Sequence, residues 1–128
     1  MNLSQLKPQG IPIFVTVYGG ILALIGIYLG IAGLFDPTTA VGYVEGGDMI
    51  AGAWAGRTLG LALATALALW FRTVQAYTLV FMASVCREGG DVVGALNSGS
   101  NGILTALLVF LALDVICFVL SLRALAKS

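Results

Sequence analysis

The sequence predicts an all-α, polytopic membrane protein: one domain, residues 1–128, built as a bundle of four transmembrane helices. Of its residues 59% are apolar and only 9% are charged, whereas soluble domains carry about a quarter charged residues. Six basic and six acidic residues give no net charge, so the chain would precipitate in water. The composition excludes a basic nucleic-acid-binding surface, a disordered solvating segment and a soluble enzyme of ordinary composition.

The first predicted helix covers residues 11–35 and contains no charged residue. A membrane span needs about 20 mostly apolar residues. It ends at Asp36, because Pro37 disfavours helical geometry in the residue before it. The stretch is longer than the apolar region of a signal peptide, about 7–15 residues, and no small-residue cleavage site follows. We therefore expect it to be retained as a span.

The second predicted helix covers residues 50–71 and is interrupted only by Arg57. The turn before it contains Gly46 and Gly47, and Asp48 is the expected N-cap. The third helix, residues 73–96, is the least apolar because three charged residues lie in its second half: Arg87, Glu88 and Asp91.

The fourth predicted helix covers residues 102–122 and is apolar except for Asp114. A polar turn at residues 97–101 precedes it, with cap candidates at Ser100 and Asn101. Together the four spans occupy most of the chain and leave only short connections.

The basic residues predict the orientation in the membrane. Threading four spans puts one group of basic residues on a single side: Lys7, Arg72, Arg123 and Lys127. The acidic loop with Glu45 and Asp48 falls on the other side. Because short loops rich in Lys and Arg stay in the cytoplasm, we expect both termini to be cytoplasmic, in the cell membrane.

Two runs of small residues predict how the helices pack. The first helix carries Gly19, Ala23, Gly26, Gly30 and Gly33, and the second carries Gly52, Gly56, Gly60, Ala64 and Ala68. Membrane helices associate through close backbone contact at small residues, so each run is expected to face the other or a neighbouring helix. The same faces suit a homodimer, and the sequence leaves the two uses open.

The most informative residues are the ionisable ones inside the spans: Arg57, Arg87, Glu88, Asp91 and Asp114. Each costs about 2.5–3.5 kcal/mol at mid-helix, so they must pair or line a polar cavity. Arg87 and Asp91 are four residues apart and share a helix face on which they can pair. The sequence predicts an outward-opening pocket with Asp114 at its floor. The alternative is a structural network of ion pairs with no ligand.

Six aromatic residues lie mostly near predicted span ends, where their rings suit the lipid headgroups: Tyr18, Tyr28, Tyr43, Trp54, Trp70 and Tyr77. This interpretation is preferred for Tyr43, Trp70 and Tyr77. Trp54 is an exception among them: it lies one turn from Arg57 and can form part of the pocket wall. The chain has no His, and Cys86 and Cys117 lack the spacing of a redox pair. No cofactor and no metal site are therefore predicted.

Three short motifs resemble the DoxX-like group of small four-helix membrane proteins and its uncharacterised relatives: Gly33-Leu34-Phe35-Asp36-Pro37, Arg57-Thr58-Leu59-Gly60-Leu61 and Gly89-Gly90-Asp91. The resemblance spans most of the chain. It implies the four-helix fold and singles out Arg57 and Asp91. It implies no particular reaction, because many members have no assigned activity.

The first functional hypothesis is a cofactor-independent acid–base enzyme, an isomerase or cyclase, acting on a lipophilic small molecule. Asp114 would donate a proton and Asp91 or Glu88 would accept one. Arg57 or Arg87 would stabilise developing negative charge. Substrate contacts are expected from Trp54, Ser84 and Phe110.

Two other classes stay open. The protein can be a small transporter or a lipophile-binding protein, or a non-catalytic membrane subunit whose buried charges are structural. An enzyme requires a cavity of a few hundred Å³, and a transporter requires access from both sides. A structural subunit requires fully paired charges and no cavity. The expected partners are the lipid bilayer and a lipophilic molecule, with no nucleic acid.

Overall fold

The computed structural model describes residue 5 and residues 7–128, which fold into four α-helices. They are α1 (Ile13–Phe35), α2 (Asp48–Phe71), α3 (Val74–Ser98) and α4 (Asn101–Ala126), with a short 3-10 helix at Pro37–Thr39 after α1. The predicted all-α fold with four helices is confirmed. The largest difference in length is at the end of α4, which continues beyond residue 122 to Ala126.

Side-chain hydrogen bonds hold the connection between α1 and α2. Asp36 has an extended backbone ahead of Pro37, and its carboxylate accepts hydrogen bonds from the Thr38 backbone N–H (3.1 Å) and hydroxyl (2.7 Å). The predicted N-cap of α2 is shifted by one residue. Gly47 is the N-cap, and the Asp48 carboxylate instead accepts a hydrogen bond from the Tyr43 hydroxyl at 2.8 Å.

The other two connections are tight turns through left-handed backbone. Arg72 ends α2 with φ 54°, and the Thr73 hydroxyl caps α3 by accepting from the Ala76 N–H at 3.2 Å. Gly99 ends α3 with φ 70°, where a glycine avoids the steric cost of a side chain. Each short turn makes consecutive helices run antiparallel.

The four helices form two hairpins, α1 with α2 and α3 with α4, and the hairpins contact each other mainly through α2 and α3. Within the first hairpin, Gly26, Gly30 and Gly33 allow close approach of the two backbones. A methyl group built on Gly30 would stand 2.8 Å from the Leu59 backbone nitrogen. The predicted packing of this run against a neighbouring helix is confirmed.

The second run of small residues behaves differently. A methyl group built on Gly52, Gly56 or Gly60 would meet nothing within 4 Å among the described residues. The buried face of α2 is a different one, formed by Ala51, Ala55, Thr58, Ala62, Thr65 and Ala68. The prediction that the glycines of α2 pack against a helix of the same chain is therefore wrong, because Ala and Thr occupy the contact instead.

A cluster of larger side chains closes the end of the bundle that holds the chain termini, here called the terminal end. Its buried members are Ile11, Val15, Tyr77, Phe81, Cys117 and Ala124. The Tyr77 hydroxyl lies 2.8 Å from that of Thr16 and so joins α3 to α1. Tyr77 is thus enclosed within the bundle, and its predicted place at the lipid headgroups is wrong.

Three of the helices, α1, α2 and α4, are long and apolar enough to cross a membrane. Their length and composition indicate a membrane protein. α3 has a comparable length of 25 residues but carries Arg87, Glu88 and Asp91 in its second half.

Candidate functional site

A cavity of about 450 Å³ lies between the two hairpins, at the end opposite the termini, here called the loop end. Three walls are mainly apolar, with Leu22, Ile25 and Leu29 from α1, Ile50, Trp54 and Leu61 from α2, and Ile103, Leu107 and Phe110 from α4. The fourth wall is α3, which presents polar and charged side chains: Ser84, Arg87, Glu88, Asp91 and Ser98. The cavity is therefore amphipathic.

An ion pair joins the two hairpins beside the cavity. Arg57 on α2 donates from Nη2 to Asp91 Oδ1 on α3 at 2.7 Å. The Arg57 side chain is 50% exposed, and Asp91 is more enclosed at 19%. The sequence predicted that Asp91 can pair with Arg87 on the same helix face. In the structure the partner of Asp91 is Arg57 instead.

A second ion pair lies within α3, where the Arg87 guanidinium contacts the Glu88 carboxylate through Nη2. Glu88 is buried, with 2% of its surface exposed. Both residues line the cavity. Each carboxylate on the polar wall therefore has an arginine partner.

Asp114 lies deeper than the cavity wall and has no exposed surface. Its Oδ1 accepts a hydrogen bond from the Tyr18 hydroxyl, and its Oδ2 accepts one from the Ser84 hydroxyl, both at 2.8 Å. Ser84 lines the cavity, whereas Asp114 is not among the described residues that do. Asp114 reaches the cavity through Ser84 rather than forming its floor directly.

Tyr18 is one residue of this site that the sequence interpretation missed. Its ring stacks on Phe81 with a centroid distance of 6.3 Å, and its hydroxyl joins α1 to Asp114 on α4. The spacing contained a signal, because Tyr18 lies three and four residues from Val15 and Leu22 on the inward face of α1. The sequence grouped Tyr18 with the aromatic residues near span ends and assigned it no contact in the pocket.

The predicted site residues thus fall into two groups. Six line the cavity: Trp54, Ser84, Arg87, Glu88, Asp91 and Phe110. The other two, Arg57 and Asp114, contact the lining through Asp91 and Ser84. The structure brings all eight to one region of the bundle.

Two buried polar atoms of lining residues lack a hydrogen-bond partner in the part of the chain that the structure describes. They are Thr58 Oγ1 and Arg87 Nε. Both atoms are covered by the protein itself and are not open to the cavity.

The loop before α2 covers the loop end of the cavity with Val41, Gly42 and Val44. The hydrogen bond from Tyr43 to Asp48 holds this loop against the start of α2 and raises the pKa of the Tyr43 hydroxyl, because the neutral form donates to the carboxylate. Among residue 5 and residues 7–128, no three His, Cys, Asp or Glu side chains come together as metal ligands would.

Comparison with protein-family models, with curated proteins and with solved structures finds no match to the chain. The resemblance to the DoxX-like group stays a prediction. The functional argument therefore rests on the geometry of the site.

Proposed function

We propose that the protein binds a lipophilic small molecule in the cavity between its two hairpins. The observation that carries this proposal is the cavity of about 450 Å³ with three apolar walls and one polar wall. Ligand sites typically combine such a volume and apolar lining with a few placed polar groups. The apolar body of the ligand would lie against α1, α2 and α4, and its polar group would face α3.

The proposal includes a bundle in which all four helices span the membrane. α3 can span because its charged side chains are turned inward: Glu88 is buried, and Arg87 and Asp91 line the cavity. Intramembrane charges are tolerated when they pair or face a polar cavity. In this proposal the basic residues of the terminal end favour cytoplasmic termini, and the cavity would open toward the outside of the cell membrane.

Two features favour binding over transport and over a purely structural role. The terminal end is filled by Tyr77, Phe81 and their neighbours, which supports a ligand site open at one end rather than a transport path. A bundle held by structural charges alone would need no cavity, yet a sizeable one lies beside the ion pairs.

The second candidate is the acid–base enzyme, an isomerase or cyclase, and Ser84 is the observation that favours it. Its hydroxyl lines the cavity and also bonds to Asp114. For this relay Asp114 must be protonated, and the Ser84 hydroxyl, which donates to Asp114 in the structure, must turn toward the ligand. Asp114 would then pass its proton to the Ser84 oxygen as Ser84 passes its own proton to the ligand. Glu88 or Asp91 on the same wall would accept a proton from another ligand atom.

Native mass spectrometry of gently purified protein, with identification of bound small molecules, tests the binding proposal. We expect Leu107→Trp to fill the cavity and expel a defined lipophilic molecule that the wild type retains. Leu108→Trp is the matched control, because Leu108 is the next residue on α4 and is exposed outside the lining. If the wild type and both variants carry only bulk lipid, the proposal is wrong.

The same experiment separates binding from catalysis. Ser84→Ala and Asp114→Asn break the connection between Asp114 and the cavity, and Asp91→Asn removes a candidate proton acceptor. If the protein is an enzyme, each variant should retain the unconverted substrate, which differs from the molecule found in the wild type. An identical molecule in all four proteins would contradict the enzyme hypothesis and leave binding as the function.

A further inference from the structure

We propose that the ligand is a cationic amphiphile, an apolar chain that carries a protonated amine, and that its ammonium group binds at Ser84, Glu88 and Asp91. This inference rests on the proposed function and names the chemical class of its ligand. It belongs to the binding function, in which Asp114 is ionised, and not to the enzyme candidate, in which Asp114 carries a proton. Its evidence is the excess of carboxylates around the cavity and the acceptor atoms that are open to it.

The charges of the site do not balance. Its two arginines are each engaged by one carboxylate, in the two ion pairs. Asp114 is a third carboxylate, and its hydrogen-bond partners are uncharged hydroxyls, those of Tyr18 and Ser84. A buried charge is strongly destabilising when no opposite charge lies near it. One bound cation would give the site three charges of each sign, whereas a bound anion would raise its excess negative charge to two.

Three side chains of α3 present acceptor atoms to the ligand. Ser84 donates its proton to Asp114, so its oxygen offers only lone pairs to the cavity that it lines. Glu88 Oε2 and Asp91 Oδ2 accept no hydrogen bond from a described residue, and neither is among the covered polar atoms without a partner. Each therefore keeps accessible surface, on a residue that lines the cavity. An ammonium group carries only donors and so matches this wall.

Ser84 also brings the ammonium group close to Asp114. The Ser84 oxygen lies 2.8 Å from Asp114 Oδ2, and an ammonium nitrogen that donates to Ser84 would lie about 3 Å beyond that oxygen. The cation and the third carboxylate would then be at most about 6 Å apart, a distance at which opposite charges stabilise each other. The buried carboxylate thus acts on the ligand through one serine.

The entrance of the cavity is acidic. The segment that joins α1 to α2 covers the loop end of the cavity and carries Asp36, Glu45 and Asp48 but no basic residue. A cleft lined by one sign of charge raises the local concentration of ligands of the opposite sign. Inside the cavity, Trp54 and Phe110 provide aromatic rings, which attract organic cations. Both features favour a cation over a neutral or an anionic ligand.

The two tryptophans of the chain provide the test. Trp54 lines the cavity, and Trp70 is 78% exposed near the terminal end. Trp70→Phe leaves Trp54 as the reporter of the cavity, and Trp54→Phe leaves Trp70 as the reporter of general partitioning into lipid. The protein in nanodiscs of zwitterionic lipid is titrated with three bromine-tagged probes of equal chain length: a dodecylammonium, a dodecanol and a dodecanesulfonate. Bromine quenches indole fluorescence at short range.

After correction for the partitioning that Trp70 reports, we expect the dodecylammonium to quench Trp54 at a concentration about tenfold lower than the dodecanol. This preference corresponds to one charge-assisted hydrogen bond. Asp114→Asn removes the third carboxylate and should abolish it. Glu45→Gln is the matched control, because it removes the same charge from an exposed residue outside the lining. It should preserve the preference, since charges at an entrance change the rate of binding more than the affinity.

Ser84→Ala is the second variant, for the case that thermal unfolding shows Asp114→Asn to be misfolded. It retains the carboxylate but removes the oxygen that links Asp114 to the cavity. The preference for the dodecylammonium should then fall by about threefold or more.

Four results would overturn part of this argument, and they are distinguishable. Equal quenching by dodecylammonium and dodecanol contradicts the cationic ligand but keeps the lipophile site. Tighter binding of the dodecanesulfonate shows that the ligand is an anion. A preference that is lost in Glu45→Gln and kept in Asp114→Asn or Ser84→Ala reflects surface charge alone and contradicts the assigned site. Quenching of Trp54 no stronger than that of Trp70 by every probe contradicts the proposed function itself.

Discussion

Asp114 is a carboxylate with no exposed surface whose two oxygens each accept a hydrogen bond, one from Tyr18 and one from Ser84. Two hydroxyl donors from different helices hold it in place, and Ser84 connects it to the cavity. Because buried polar groups are costly when unpaired, this triad fixes the positions of α1, α3 and α4 relative to one another.

Tyr18→Phe should lower the free energy of unfolding by about 1–3 kcal/mol, because it leaves one buried oxygen of Asp114 without its donor. The ring and its stacking on Phe81 are retained. The measurement is unfolding of the purified protein in detergent by heat or denaturant. Tyr28→Phe is the control, since Tyr28 lies on α1 and is exposed, and its effect should be within about 0.5 kcal/mol. Equal effects of the two substitutions would contradict the role of the Tyr18 hydroxyl.

At the scale of the helices, the glycines of α1 determine how closely the first hairpin packs. Gly26, Gly30 and Gly33 lie against Ala62, Leu59 and Ala55 of α2. In a membrane, where apolar side chains gain nothing by leaving lipid, such close contact is a main source of helix association. One wall of the cavity depends on this packing, because Gly26 and Ala62 also line it.

Gly30→Ala should destabilise the protein by about 1–3 kcal/mol, as overpacking does in a close-packed interior. The added methyl group would meet the backbone of Leu59, which cannot rotate away. Gly20→Ala, on the same helix with nothing within 4 Å of the added group, should be neutral or stabilising by up to about 1 kcal/mol. Thermal unfolding of both variants checks this, and a stable Gly30→Ala variant would show that the hairpin packs less closely.

At the scale of the whole molecule, the bundle is filled at the terminal end and hollow at the loop end. The hairpins are joined by Thr16 with Tyr77, by Tyr18 with Asp114, and by Arg57 with Asp91. The first two contacts lie at or near the closed end, and the ion pair lies beside the cavity. In the proposed orientation a lipophilic ligand would reach the cavity from the outer half of the membrane.

Cysteine labelling of intact cells tests the orientation. In a Cys86→Ala background, Glu45→Cys should react with a membrane-impermeant maleimide from outside, because Glu45 is exposed in the loop before α2. Ser128→Cys at the C-terminus should react only after permeabilisation. The remaining Cys117 is buried, and the background protein measures its contribution. The opposite pattern would reverse the orientation, and labelling of both sites from one side would exclude four spans.

The sequence by itself determined the four helices and, to within two residues, every helix end except the last. Long apolar stretches form helices because a backbone in an apolar medium must satisfy its hydrogen bonds internally, and Pro37 and Gly99 end two of them for local reasons. The sequence also indicated that the ionisable residues of three helices meet in one region, because unpaired charges are not tolerated in a membrane.

Only the tertiary structure decided which side chains meet. Helical periodicity shows which residues share a face of one helix, but the rotation and spacing of neighbouring helices follow from packing between residues far apart in the chain. For this reason Asp91 pairs with Arg57 rather than Arg87, and the glycines of α2 lie outside the contact with α1. For the same reason the Tyr18 hydroxyl meets Asp114, a contact that no sequence pattern indicated. The cavity has the same origin: α1 packs closely on α2 and α3 on α4, and the two hairpins leave a space between them at the loop end.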